Sequence, residues 1–334
     1  MSLQESNYRG VINRLGIAML VLFGGVAIYR TVATEVLPLL LSAVSHVAAR
    51  IVGELVLALL YSAAFLVPVF VFFGISRNKP HVPFDATPHL PRGTALYVVA
   101  ALSIIGAAAH LNVYIVDLFE AVSVFGNEAA TPAATQPRAA YEVVLAFITT
   151  AVVPAFVEEA LFRGTVLKNL LPFGRTTAVF VSALLFGVMH QSASQFFYAT
   201  VAGLVIGYIY VHTSSLWCAV LIHFCNNAFS VFLGVLYEHL PLPKAALAEG
   251  IVYAVLLLLG IVAVIILLRA HRDTQDELLQ NGCFERDLAP DAEYAPQSLP
   301  MSRRVRLLFT PPMIVFLALC AVQILYMLAL AVIF

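Results

Sequence analysis

Three charged side chains, Glu158, Glu159 and Arg163, lie within six residues of one another in a long apolar segment of the 334-residue chain. Glu159 and Arg163 are four residues apart, so on a helix they share one face, with the acid on the N-terminal side, which is the favoured order for an ion pair. Glu158 is rotated about 100° away from that pair. Because desolvation favours the neutral form of an isolated carboxylate, Glu158 is suited to accept and return a proton near neutral pH.

Two other apolar segments each carry polar groups at helical spacing. His190 follows Phe186 by four residues, and Asn227 follows His223 by the same interval, so each pair projects from one side of a helix. Glu158 and His190 suit the activation of a water molecule for attack on an amide carbonyl. His223 and Asn227 suit hydrogen-bond donation to the oxyanion that then develops, where one lost donor costs roughly 10²–10³ in rate. Together these residues predict hydrolysis of a peptide bond.

Each segment also has a structural interpretation. Glu159 and Arg163 fit an ion pair at a helix end, a single histidine in an apolar helix is more often a hydrogen-bonded structural residue, and asparagines in apolar spans also join helices. The catalytic interpretation depends on depth in the membrane. If the helix that carries Glu158 ended at Arg163, Glu158 would lie at the membrane edge and miss His190. The prediction therefore requires a helix that continues to about Leu171.

The composition defines the class of protein. Hydrophobic residues make up 61% of the sequence and charged residues 11%, whereas a soluble domain carries about 25% charged residues. Residues 250–268 and 313–334 contain no charged side chain, and about 20 apolar residues cross the roughly 30 Å of a bilayer's hydrocarbon core as a helix. The sequence therefore predicts an all-α, multi-pass bundle in the cell membrane. The net charge of −1 gives no indication of a nucleic-acid partner.

We predict a bundle of eight or nine transmembrane spans. They cover approximately residues 15–29, 51–74, 95–116, 139–171, 176–190, 196–211, 215–236, 250–268 and 313–334. Residues 31–50 are apolar but hold Glu35 and Arg50, which favours an interfacial helix over a crossing. Basic residues cluster at the N-terminus and in three connections, 77–92, 163–175 and 269–306. The positive-inside rule places those segments, and with them the N-terminus, in the cytoplasm.

The order of apolar and polar segments divides the chain into five parts. These are N-terminal membrane spans in 1–138, a core with the candidate catalytic groups in 139–240, an additional span in 241–268, a flexible cytoplasmic linker in 269–306 and a C-terminal span in 307–334. The linker is predicted because acidic and basic residues are mixed there with little periodicity.

The three polar segments of the core resemble the signature of the type II CAAX prenyl endopeptidases. This family is also called the CPBP or Abi family of intramembrane proteases and includes lysostaphin-resistance-like proteins. Its pattern is Glu-Glu-x-x-x-Arg, then Phe-x-x-x-His, then His-x-x-x-Asn. Here the three motifs begin at Glu158, Phe186 and His223, in the same order and on separate predicted helices. The resemblance covers about residues 140–240.

The resemblance implies an intramembrane endopeptidase whose substrate is a membrane-associated or lipidated protein or peptide, with membrane lipid as the other partner. It implies Glu158 and His190 as the groups that activate water, and His223 and Asn227 as oxyanion stabilisers, in a site open to the cytoplasmic side. Glu159, Arg163 and Phe186 are implied as supporting residues.

The cofactor and the class of protein each have an alternative. We predict no metal, since the sequence has no His-Glu-x-x-His helix and its four cysteines form no spaced framework. Glu158, His190 and His223 would nevertheless make a three-ligand zinc set. The alternatives to an enzyme are a non-catalytic membrane scaffold or bacteriocin-immunity protein, and a small-solute transporter. A transporter would predict inverted repeats and broken helices, which are not apparent in the sequence.

Overall fold

The computed structural model describes residues 3–76, 89–121, 137–280 and 300–333, and these residues form a helical bundle without a β-strand. The first helices are α1 (Leu3–Thr31), α2 (Leu37–Leu41), α3 (His46–Gly74), α4 (Thr94–Ala121), α5 (Ala140–Ala146), α6 (Val153–Leu161) and α7 (Lys168–Leu170). They are followed by α8 (Arg175–Met189), α9 (Ala193–Thr213), α10 (Leu216–His239), α11 (Leu242–Gln280), α12 (Met301–Leu308) and α13 (Pro311–Ile333).

The helices confirm the predicted all-α, multi-pass membrane bundle. Among the described residues, seven helices are long and apolar enough to cross a membrane, and an eighth is counted if α12 and α13, which meet at a bend of 72°, form one span. Helix α8 is apolar but has only 15 residues, which at 1.5 Å per residue is shorter than a full crossing. It packs lengthwise against α9 as a helical hairpin.

The prediction of a separate interfacial helix over 31–50 is wrong. Residues 32–41 continue the first helix, through a π-helical segment (Val32–Val36) and then α2. After a short turn, α3 begins at His46. The two helices therefore form an N-terminal hairpin, α1–α2 followed by α3, and the polar residues that suggested an interface lie on either side of its turn.

The candidate acids lie on a helical run from Ala140 to Phe173, 34 residues long, which confirms the long helix that their depth requires. Two π-helical segments, Phe147–Val152 and Phe162–Leu167, flank α6 in this run. Pro154 is at the start of α6 and has no N–H to donate to the carbonyl four residues earlier. The missing N–H of Pro154 accounts for the π-helical segment just before α6, Phe147–Val152. Such segments are frequent at functional sites.

Helix α6 lies in the interior of the bundle. It packs against α3 on one side and α10 on the other, while α1 packs against both α3 and α13. All residues of α6 except Val153 and Phe156 are buried. The acidic residues on it are therefore surrounded by other helices rather than by lipid.

The segment predicted as a linker, 269–306, is helical where the structure describes it. Helix α11 continues to Gln280, residues 281–299 lie outside the described residues, and α12 begins at Met301. Helix α12 is held to the bundle by two of its arginines. Arg303 Nε is 2.6 Å from Glu5 Oε1, and Arg304 Nη1 donates to Thr177 Oγ1 at 2.9 Å.

Close packing of α8 against α9 predicts a large difference between two glycine substitutions. A Cβ added at Gly203 would lie 2.9 Å from Ala183 Cα, whereas one added at Gly24 would meet no atom within 4 Å. We expect Gly203→Ala to lower the free energy of unfolding by about 1–3 kcal/mol through overpacking. Gly24→Ala should leave it unchanged or raise it by up to about 1 kcal/mol through helix propensity. Unfolding titrations in mixed detergent measure both, and equal effects would contradict the close packing.

Candidate active site

The predicted ion pair is present in the bundle interior. Arg163 Nη1 lies 2.8 Å from Glu159 Oε1, and both side chains are 0% exposed. Arg163 Nη2 also donates to the backbone carbonyl of Gly203 on α9 at 3.2 Å. A buried cation needs a carboxylate and further acceptors to offset its desolvation. Arg163 therefore holds Glu159 in one position and joins the helical run from Ala140 to Phe173 to α9.

Glu159 in turn orients His223. The same oxygen, Oε1, accepts a hydrogen bond from His223 Nδ1 at 2.8 Å. With the proton on Nδ1, the other ring nitrogen, Nε2, is the one that exchanges protons or binds a partner. His223 Nε2 lies 4.0 Å from Glu158 Oε2. The buried Arg163–Glu159 pair therefore orients the His223 imidazole toward Glu158. The orienting carboxylate of a catalytic triad positions its histidine in the same way.

Glu158 has one oxygen satisfied and one free. The Tyr61 hydroxyl on α3 donates to Oε1. Oε2 is buried and has no hydrogen-bond partner among the described residues, although it faces His223. An unpaired buried carboxylate oxygen is costly and is frequent where a reaction uses the group. Sequence reasoning identified Glu158 as the acid without an ion-pair partner but missed Tyr61.

Phe186, the first residue of the second motif, contacts both candidate histidines and Arg163 through its ring. Its centroid lies 5.1 Å from that of His190 and 5.8 Å from that of His223, both in edge-to-face geometry. The Arg163 guanidinium carbon lies 4.8 Å from the same centroid, within the range of a cation–π contact. One buried aromatic ring therefore separates and positions the two histidines and covers the buried cation.

His190 lies at the C-terminal end of α8 and is only partly buried. Its Nδ1 donates to the Phe186 carbonyl at 2.8 Å, so Nε2 is the nitrogen available for proton exchange. Within the described part of the chain, no hydrogen bond or ion pair joins His190 to Glu158. A water molecule or the substrate would have to connect the two groups.

Arg30, at the end of α1, holds the turn that follows His190. Its guanidinium donates to the His190 carbonyl at 3.2 Å and to Gln191 Oε1 at 3.1 Å. Gln191 is buried and has a φ of 54°, a left-handed conformation that is unfavourable for residues other than glycine. The sequence did not place Arg30 in the site, because a basic residue at the end of an apolar segment is typical of the end of a transmembrane span.

Asn227 contacts the helical run from Ala140 to Phe173 at its first π-helical segment, Phe147–Val152. Its Nδ2 donates to the Thr150 carbonyl at 3.1 Å, which is the carbonyl that Pro154 leaves without its usual α-helical donor. Asn226 Nδ2 donates to Asn227 Oδ1 at 3.2 Å, and Asn226 Oδ1 accepts from the Tyr198 hydroxyl at 2.9 Å. The amide of Asn227 is thereby fixed in orientation and keeps one N–H for another acceptor.

A cavity of about 340 Å³ lies beside Glu158 and Asn227. Its volume is within the range of roughly 300–1,000 Å³ that is typical of ligand pockets. Its lining consists of Tyr29, Glu54, Leu57, Ala58, Tyr61, Thr149, Thr150, Pro154, Glu158 and Asn227. Glu158 and Asn227 therefore line the same cavity, and half of the lining residues belong to the N-terminal hairpin.

Comparison with known families agrees with the motifs. Residues 140–229 match the model of the Rce1-like type II CAAX prenyl endopeptidases. The resemblance inferred from the three motifs is thereby confirmed for this segment, which we call the Rce1-like segment. The family implies a protease, that is, a hydrolase whose substrate is a protein or peptide in a membrane. Comparisons with curated proteins and with solved structures gave no match.

The Rce1-like segment contains the three residues of the alternative zinc set, Glu158, His190 and His223. Among the described residues, no three side chains of His, Cys, Asp or Glu converge closely enough to hold a metal ion. Glu158 and His223 approach each other, but His190 does not join them. The arrangement thus offers an acid and an imidazole side by side rather than three converging ligands.

Proposed function

We propose that this chain is an intramembrane endopeptidase in which Glu158 and His190 activate water and His223 and Asn227 stabilise the oxyanion. The observation that carries the proposal is the buried network Arg163–Glu159–His223, which faces the free oxygen of Glu158. The match of the Rce1-like segment supports the same class of reaction.

The first step is attack by water on the scissile amide. Glu158 Oε2, which has no hydrogen-bond partner in the part of the chain that the structure describes, accepts a proton from the water, whose oxygen forms a bond to the carbonyl carbon. His190 Nε2 accepts the water's second hydrogen as a hydrogen bond and aligns it. Positioned proton transfer of this kind contributes roughly 10²–10⁴ to a rate.

The second step is stabilisation of the oxyanion. Asn227 keeps one amide N–H free beside the cavity, and His223 donates from Nε2 when protonated. Glu158 is neutral at this stage because it has taken the water's proton, so the charges of Arg163 and protonated His223 offset those of Glu159 and the oxyanion. A neutral cluster avoids the cost of net charge in the membrane interior. The oxyanion then gains two donors that are already oriented.

The third step breaks the carbon–nitrogen bond. Glu158 returns its proton to the leaving nitrogen, which departs as an amine, and the carbonyl carbon keeps the water's oxygen as a carboxyl group. All atoms balance with one water consumed per bond cleaved. The substrate is a membrane-associated or lipidated protein or peptide, because the site lies within the bundle and its cavity is lined by helices of the membrane spans.

The direct test is cleavage by the purified full-length chain, reconstituted in lipid vesicles and given a library of membrane-anchored reporter peptides, with and without a chelator. We expect cleavage that the chelator leaves intact, because the proposed reaction uses only side chains. Cleavage lost on chelation and restored by Zn²⁺ would favour the zinc alternative. No cleavage of any reporter, together with unchanged biological activity of Glu158→Ala and His190→Ala, would favour a non-catalytic scaffold or transporter.

A further inference from the structure

We propose that the N-terminal hairpin is part of the active site, with Tyr61 positioning Glu158 and Arg30 positioning the turn after His190. The inference rests on the proposed function. Both residues lie outside the Rce1-like segment, so the hairpin adds parts to the site that the three motifs do not contain.

Tyr61 decides which oxygen of Glu158 reacts. Its hydroxyl occupies Oε1 and leaves Oε2 as the oxygen that faces His223 Nε2. Tyr61 itself lies in the cavity wall. Loss of this hydroxyl would free the carboxylate to rotate away from His223.

Arg30 holds the backbone that presents His190. It contacts both residues of the turn, the His190 carbonyl and the Gln191 side chain. Gln191 needs this support because its left-handed backbone is unfavourable for an L-residue with a side chain. Without Arg30, the turn would relax and the His190 ring would leave its position at the end of α8.

The hairpin is rigid enough for these two tasks. Helices α1 and α3 approach so closely at Gly25 that an added Cβ would lie 3.0 Å from Ala64 Cα. Further along, the Tyr29 and Tyr61 rings meet edge to face with centroids 5.4 Å apart. The spacing between Arg30 on one helix and Tyr61 on the other is therefore set by backbone contact rather than by flexible side chains.

The test for Tyr61 uses the full chain in lipid vesicles and a reporter peptide that the wild type cleaves. We expect Tyr61→Phe to lower kcat by about 10²-fold, as for other displaced catalytic groups, with little change in KM. Tyr8→Phe is the matched control, because Tyr8 is a buried tyrosine of α1 whose hydroxyl has no hydrogen-bond partner within the described ranges.

A second readout does not depend on a substrate. The infrared carboxyl band of Glu158, assigned by its loss in Glu158→Gln, should shift in frequency in Tyr61→Phe but not in Tyr8→Phe, because Oε1 has lost the hydrogen bond from Tyr61. An unshifted band and wild-type kcat in Tyr61→Phe would overturn the role of Tyr61. If Glu158→Gln is inactive at the same time, the proposed function stands.

Arg30 is tested by loss and rescue. We expect Arg30→Gln to lower kcat by about 10²-fold, and the double variant Arg30→Gln/Gln191→Gly to recover at least 10-fold, because glycine adopts the left-handed turn without support. A double variant as inactive as Arg30→Gln, with an unchanged unfolding midpoint, would overturn this role. Arg9→Gln, an exposed arginine near the start of α1, controls for loss of a cation.

Discussion

Replacing Glu158 by glutamine is expected to lower the cleavage rate by a factor of about 10²–10⁴, the contribution of a positioned proton acceptor, while the bundle remains folded. Glutamine has nearly the shape of glutamate and still accepts the Tyr61 hydrogen bond that Oε1 receives. It cannot take a proton from water in the way that Oε2 does. The measurement is kcat for a cleaved reporter peptide, together with the unfolding midpoint of the same preparation.

Glu142→Gln is the matched control for this substitution. Glu142 lies on the same helical run, but its Oε2 accepts from the Ala139 backbone N–H at an exposed helix start. We expect this variant to cleave at the wild-type rate. Cleavage by Glu158→Gln at a rate within a few-fold of wild type would remove Glu158 from the mechanism, and with it the proposed proton path.

The largest effect on stability is expected for Arg163→Met. The substitution leaves Glu159, which is 0% exposed, without its cation, and breaking a buried pair in this way costs about 3–5 kcal/mol. Lysine is a poor replacement, because it lacks the fork that reaches both Glu159 and the Gly203 carbonyl. The free energy of unfolding from a mixed-detergent titration measures the loss.

A double variant separates charge from packing. Arg163→Met/Glu159→Gln removes both charges, so we expect it to recover more than half of the stability lost in Arg163→Met. Arg50→Met breaks a partly exposed pair with Glu54 and should cost no more than about 1 kcal/mol. If Arg163→Met were as mild as Arg50→Met, Arg163 and Glu159 would not depend on each other.

The fold could be predicted to the level of its helices because lipid imposes a simple rule. Uninterrupted apolar runs of about 20 residues must satisfy their backbone hydrogen bonds internally, and so they form helices. At 31–50 the polar residues predicted one interfacial helix, whereas the structure divides this segment between the end of the first helix and the start of α3. Glu35 and Arg50 lie near the ends of two helices joined by a tight turn, and composition alone does not distinguish these arrangements.

The site could be predicted where its residues are close in sequence. Glu159 and Arg163 pair because helical periodicity brings them together, and the three motifs identified the helices that meet. Contacts between distant segments have no such periodicity. Tyr61 is 97 residues from Glu158, and Arg30 is 160 residues from His190. An isolated tyrosine or arginine in an apolar span carries no signal of its partner, so only the packed bundle shows these contacts.

Contacts of α12 and α13 with α1 limit how the protein can be truncated. Arg303 pairs with Glu5, which is buried, and the Gly16 backbone of α1 lies so close to α13 that an added Cβ would be 2.6 Å from Met313 N. A truncated chain that stops before residue 300 would expose the face of α1 that packs against α13 and would remove the Arg303 side chain that pairs with Glu5. A fragment that consists of residues 140–229 alone would lose more contacts, because it lacks the two helices that carry Arg30 and Tyr61.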